Sequence, residues 1–155
     1  MILNTVIFDM DGLLIDSEPL WYEAAQESLK QFNVHIVEEE YNTTTGLRTP
    51  EFLQHWFKVF EIDVKHLSST EEDLLYGKPH PQVFLDCASA LQSEPTNCIC
   101  IEDSFNGLIA AKAAKMKCII VPHSSQFEMD KWNIADLKLK SLRDLTHSSL
   151  EKILK

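Results

Sequence analysis

Hydrophobic and polar positions along this chain change period several times, and each change marks an element. A mostly apolar run over residues 2–8, stopped by Asp9, predicts a buried strand. Leu20, Trp21, Ala24, Ala25, Ser28 and Leu29 recur at helical spacing and predict an amphipathic helix over residues 18–32, with Pro19 in its first turn. Residues 41–48 are polar, with Gly46 at the tip of a loop. Phe52, Trp56, Phe57 and Phe60 predict a second helix over 50–60, its aromatic stripe serving core packing. The prolines of Gly77-Lys78-Pro79-His80-Pro81 bar a helix before them and permit one after. From there the pattern predicts a helix over 82–91, a strand over 97–101, and a helix over 105–115 capped by Ser104. A strand over 118–121, an edge strand over 135–139 and one or two helices over 142–154 follow. This strand–helix alternation predicts an α/β fold with a doubly wound parallel sheet.

Composition narrows the function. With 155 residues, 45% of them hydrophobic, the chain can bury one sizeable core. A formal net charge of −10 argues against nucleic acid or an anionic membrane as partner. An anionic substrate would then need a local cation or a lysine. Cys87, Cys98, Cys100 and Cys118 form no C-x-x-C pair, so free thiols are expected. The i, i+2 spacing of Cys98 and Cys100 fits a buried strand better than a metal-ligand pair. The N-terminal apolar run has no basic flank and meets Asp9 early, which does not fit a signal peptide. No stretch approaches the length of a membrane span, and a cytoplasmic location is expected.

The chemistry gathers at strand ends. Asp9 and Asp11 follow the first strand at i, i+2 spacing, which turns both carboxylates into one pocket if the backbone stays extended. The plainer reading of Asp11-Gly12 is a turn. Glu102 and Asp103 follow the 97–101 strand in the same way, so adjacent parallel strands would bring four carboxylates together. Unit charges about 4 Å apart repel by roughly 4 kcal/mol at an effective dielectric near 20. Such a set calls for a hard cation, and an open all-oxygen site suits Mg²⁺. An acidic N-terminal helical turn accounts for one of Glu102 and Asp103 more readily than for both. Asn106-Gly107 puts a small residue where close backbone approach is needed. Lys78, on a backbone stiffened by prolines, can neutralise carboxylates and grip a phosphate.

Asp9-Met10-Asp11-Gly12-Leu13-Leu14-Ile15-Asp16-Ser17 resembles the first motif of the haloacid dehalogenase superfamily. Gly77-Lys78-Pro79-His80-Pro81-Gln82-Val83-Phe84 resembles its third motif, and Ile101-Glu102-Asp103-Ser104 with Asn106-Gly107 its fourth. The sequence is most similar to the sugar-phosphate phosphatases and β-phosphoglucomutase-like enzymes with a helical cap. That resemblance implies an α/β core from residues 1–15 and 67–155, with a partial helical cap over 16–66. It implies a Mg²⁺-dependent phosphatase of a small phosphorylated metabolite, with a sugar phosphate expected. A phosphomutase, or a catalytically impaired remnant that serves as a binding domain, is the alternative. Asp9 would be the nucleophile that forms an aspartyl-phosphate. Asp11 would be the general acid and then base, and a metal ligand through its backbone carbonyl. Asp103, with Glu102, would complete the metal site begun by Asp9. Lys78 would steady Asp9 and the phosphoryl oxygens, while Gly12, Arg48 and Asn106 would line the substrate position. Oligomeric state leaves no readable signal.

One part of the pattern is missing. The superfamily's second motif is a Ser or Thr on another core strand, separated from the lysine by a helix and a strand. Ser68, Ser69 and Thr70 are the nearby candidates, and eight residues lie between Ser69 and Lys78. A βαβ crossover needs at least about ten to twelve residues. The expectation is therefore that a block of cap, strand and helix is absent near His66-Leu67.

Overall fold

The computed structural model describes residues 4–62 and 76–154. The expected deletion point near His66-Leu67, the second-motif candidates Ser68 to Thr70, and the beginning of the apolar run before residue 4 lie outside them. Among the described residues, four parallel strands form one sheet in the order β1 (Thr5–Phe8), β2 (Cys98–Glu102), β3 (Lys117–Ile120) and β4 (Leu137–Lys138). Helices α1 (Glu18–Lys30), α2 (Glu38–Tyr41) and α3 (Thr49–Val59) fall between β1 and β2 in sequence, followed by α4 (Gln82–Ala90). Helix α5 (Phe105–Ala113) links β2 to β3, and α6 (His147–Leu154) closes the chain.

Period-2 alternation sends neighbouring strand residues to opposite faces. Ile7, Cys98, Cys100, Cys118 and Ile120 pack with Phe84, Leu108 and Trp132 on one face. Ile99, Ile101 and Ile119 meet Leu139, Leu142, Leu150 and Ile153 on the other. Strand β2 is buried along its whole length, as a central parallel strand should be. Strand β1 differs. Val6 and Phe8 lie in register with Ile99 and Ile101, yet they remain 45% and 43% exposed. Among the described residues nothing pairs the far side of β1, so the strand carrying the first acidic motif is an edge of the described sheet.

Helices α1 to α3 bury a core of their own, built from Ala25, Leu29, Val34, Ile36, Tyr41, Trp56 and Phe57. Pro19 and Pro50 each occupy a first helical turn, where the missing N–H costs no hydrogen bond. Of the six residues of the expected α1 stripe only Ala25 and Leu29 are buried; Ala24 and Ser28 are exposed, and Leu20 and Trp21 stand 67% and 50% exposed. Their side of the helix meets no packed layer among the described residues, so spacing alone overstates the buried face. The expected loop 41–48 begins after a short helix, because α2 occupies Glu38–Tyr41. The remaining predicted elements match their types, with ends shifted by at most three residues. Among the described residues no helix is long and apolar enough to cross a membrane. All four cysteines are free, with Cys98, Cys100 and Cys118 buried.

Candidate active site

Parallel pairing of β1 with β2 sets Phe8 beside Ile101, so the residues that follow both strands emerge at one edge of the sheet. The edge is the C-terminal one, where open α/β sheets bind ligands. Asp9, Glu102 and Asp103 each bring a carboxylate oxygen to within 4.8 Å of the other two. Lys78 reaches the same point from the turn before α4, past a cis Lys78-Pro79 bond. Its Nζ donates to Asp9 Oδ1 at 2.6 Å and to Glu102 Oε1. The ammonium also lies 5.4 Å from the centre of the Phe84 ring, whose face favours a cation.

The three acids have different surroundings. Glu102 is fully buried, and both of its oxygens are engaged. Oε1 takes Lys78, while Oε2 accepts Asp103 N at 3.2 Å, Ser104 N at 3.1 Å and Ser104 Oγ at 3.0 Å. Burial pushes its carboxyl up, against the pull of Lys78. Asp103 is pushed up to about 7, by burial first and then by the charges of Glu102 and Asp9. Burial pulls the Lys78 ammonium down, but Glu102 and Asp9 outweigh it and hold the group above the usual lysine range. The site therefore holds one firmly protonated cation against three acids, one of which gives up its proton near neutrality. Hard oxygens crowded in this way fit a divalent cation such as Mg²⁺.

Asp11 stands apart from this trio. The extended backbone ends at Phe8; Gly12 has φ +75°, and Leu14 N and Ile15 N both donate to Met10 O. This turn carries the Asp11 carboxylate away, and its Oδ1 accepts Ser17 Oγ at 2.8 Å. The expected convergence of four carboxylates is thus corrected to three, because the chain turns one residue too early for i, i+2 geometry to hold. Asp11 still lines the same cavity as Asp9. Gly12 packs against Asp103: a Cβ there would stand 2.5 Å from Asp103 Oδ2.

That cavity, about 960 Å³, runs from Asp9, Lys78 and Asp103 to an apolar wall of Trp21, Phe32, Phe52 and Phe57. Arg48 lines it, with its Nε and Nη2 donating to Glu51 Oε1 at 3.2 Å. Asn106 Nδ2 instead donates to Gly46 O at 3.4 Å, which ties α5 to the 41–48 loop. Sequence reasoning assigned no role to Ser17, the partner of Asp11, although it closes the first motif. It also passed over Glu18, a half-buried acid in the cavity wall whose carboxyl is pushed up by burial and which accepts Tyr41 Oη at 3.4 Å. No local pattern distinguishes that glutamate from an ordinary helix-starting one.

Two family models for haloacid dehalogenase-like hydrolases match the chain, one over residues 6–69 and the other over 52–115. Hexitol phosphatase B of Escherichia coli (strain K12) is 31% identical over 210 aligned positions, covering 93% of this chain and 95% of the relative. The chain belongs to the haloacid dehalogenase-like hydrolases. Within that superfamily it is sugar-phosphate phosphatase-like, a phosphoric monoester hydrolase. The fold agrees. A haloacid dehalogenase hydrolase of family IA from Entamoeba histolytica superposes with a TM-score of 0.74 at 16% identity, covering 98% of this chain and 100% of that one. A β-phosphoglucomutase from Clostridium difficile gives 0.73 at 19% identity, covering 99% and 98%. The alignment with the hexitol phosphatase is longer than the 155 residues of this chain, so the relative has residues that this member lacks.

Proposed function

We propose that this protein is a Mg²⁺-dependent phosphatase of a small sugar or polyol phosphate, working through an aspartyl-phosphate on Asp9. The observation that carries the reading is the placement of Lys78 Nζ 2.6 Å from Asp9 Oδ1, with carboxylate oxygens of Asp9 and Asp103 within 4.8 Å of each other. Asp9 attacks phosphorus, and the bond to the ester oxygen breaks. Asp11 protonates that leaving oxygen, then takes a proton from the water that cleaves the aspartyl-phosphate. The hydrogen bond from Ser17 fixes the Asp11 carboxyl at the cavity wall for both transfers. Lys78 orients Asp9 and offsets charge on the phosphoryl oxygens. Asp9, Asp103 and the Asp11 carbonyl would hold Mg²⁺, with Glu102 beside them. Bound there, the ion would supply charge compensation for the transferring group.

We assign residues 16–66 as a partial cap over a core of 1–15 and 67–155. The separate hydrophobic cluster of α1 to α3 and the Asn106–Gly46 contact support that division. We assign Gly12, Arg48 and Asn106 to the substrate side, with Arg48 in the cavity wall. The free cysteines support action in a reducing compartment, the cytoplasm.

The test is turnover of a hexitol phosphate and of a generic aryl phosphate with Mg²⁺. Released inorganic phosphate is expected; an isomeric sugar phosphate would mark a mutase instead. Asp9→Asn should abolish the labelled phosphoenzyme and lower kcat at least about a thousandfold. A labelled intermediate that survives the change overturns the assignment, and background turnover by the unaltered protein overturns the phosphatase reading.

A further inference from the structure

Glycine is a poor helix former, yet Gly107 sits buried at the third position of α5. Its φ is not in the left-handed region, so backbone conformation does not require it there. Space does. A Cβ on Gly107 would overlap the carboxyl carbon and both oxygens of Glu102. The Gly107 N–H meanwhile donates to Ser104 Oγ at 3.0 Å, and the same hydroxyl donates to Glu102 Oε2 at 3.0 Å. One turn of α5 thus both vacates the volume that the Glu102 carboxylate fills and anchors one of its oxygens. The other oxygen takes Lys78, which in turn takes Asp9.

We propose that Gly107 is a positioning residue: the side chain it lacks lets Glu102 lie against the first turn of α5 and aim Lys78 at Asp9. This rests on the phosphatase reading above and adds to it. A methyl at 107 displaces a carboxylate that has no second place to go, because Glu102 is fully buried. Lys78 then loses one of its two carboxylate partners, and the loss reaches the nucleophile without any change in the residues that touch substrate.

The experiment is a double-mutant cycle of Gly107→Ala with Glu102→Ala, read by aryl phosphate kinetics and by thermal melting. Gly107→Ala alone should lower kcat about tenfold to a hundredfold, the range for disturbed outer partners of a site, with KM within about twofold. Glu102→Ala should lower kcat comparably, and the double variant no further. In melting, Gly107→Ala should lower Tm in the parent and raise it in Glu102→Ala, where the methyl has room and favours the helix. If Glu102→Ala does not fold, Glu102→Asp, one methylene shorter, serves as the second background with the same expected sign. An equal loss from Gly107→Ala in both backgrounds overturns the proposal. So does an unchanged kcat in Gly107→Ala when melting shows the two residues coupled. If the parent itself turns over nothing, the phosphatase reading fails, and the melting cycle still decides whether Gly107 makes room for Glu102.

Discussion

Lys78 donates to Asp9 at 2.6 Å across a sequence separation of 69 residues, and its ammonium also pairs with the fully buried Glu102. Removing that cation leaves two acids facing each other, one of them out of reach of water. Lys78→Met should lower kcat about a hundredfold or more, as loss of one preorganised charge partner does. It should also cost about 3 kcal/mol of stability, because a buried charge without its partner is strongly unfavourable. Urea unfolding followed alongside turnover measures both. Unchanged stability would mean that Glu102 is not held by Lys78.

Asp103 and Glu102 should separate in a metal titration. Both Glu102 oxygens are occupied by protein donors, whereas Asp103 presents a carboxylate beside Asp9. Asp103→Ala should weaken Mg²⁺ dependence by at least about tenfold. Glu102→Ala should act mainly on stability and kcat, with a smaller shift in the Mg²⁺ concentration at half activity. Equal and negligible shifts would place the metal elsewhere.

The pH dependence of stability follows from the raised carboxyl of Asp103. The group binds its proton more tightly folded, at about 7, than at its ordinary 3.8. Its contribution is complete below about pH 4 and is lost as pH rises through about 7. Glu102, also raised, acts in the same direction, and Lys78 stays charged throughout this window. Asp136 is held low by its lysine and backbone partners, so its contribution is lost only under more acidic conditions. In a chelator, Tm at pH 8 should lie below Tm at pH 5. Mg²⁺ should narrow the difference, since the ion favours the deprotonated acid. Asp103→Asn should flatten the metal-free profile; a profile just as steep would assign the titration to another group.

Gly12 is the second glycine that the site depends on. With φ +75° and Asp103 Oδ2 2.5 Å from where a Cβ would stand, Gly12→Ala is strained in backbone and side chain together. It should cost about 1–3 kcal/mol and weaken Mg²⁺ activation, by moving Asp103. A variant with unaltered melting and metal response would show that the turn has another way to close.

Hydrophobic periodicity and two acidic strand ends determined much of this protein in advance. Short apolar runs bounded by turn residues read as strands, and prolines and cap residues set the helix starts, so Asp9, Lys78 and Asp103 were legible as one site from the linear pattern. Local rules worked because those residues are placed by strand and turn geometry, which is decided over a few neighbouring positions. Three matters were settled only in three dimensions. Asp11 leaves the carboxylate cluster because the extended backbone of β1 ends at Phe8, and its carboxylate accepts Ser17 Oγ instead. Glu102 faces Lys78 and the α5 turn, a choice made by packing between β2 and α5. Trp21, Val6 and Phe8, which read as core by spacing, stand exposed. Whether an apolar residue is buried depends on whether another layer covers it, and periodicity reports only the side that such a layer would cover.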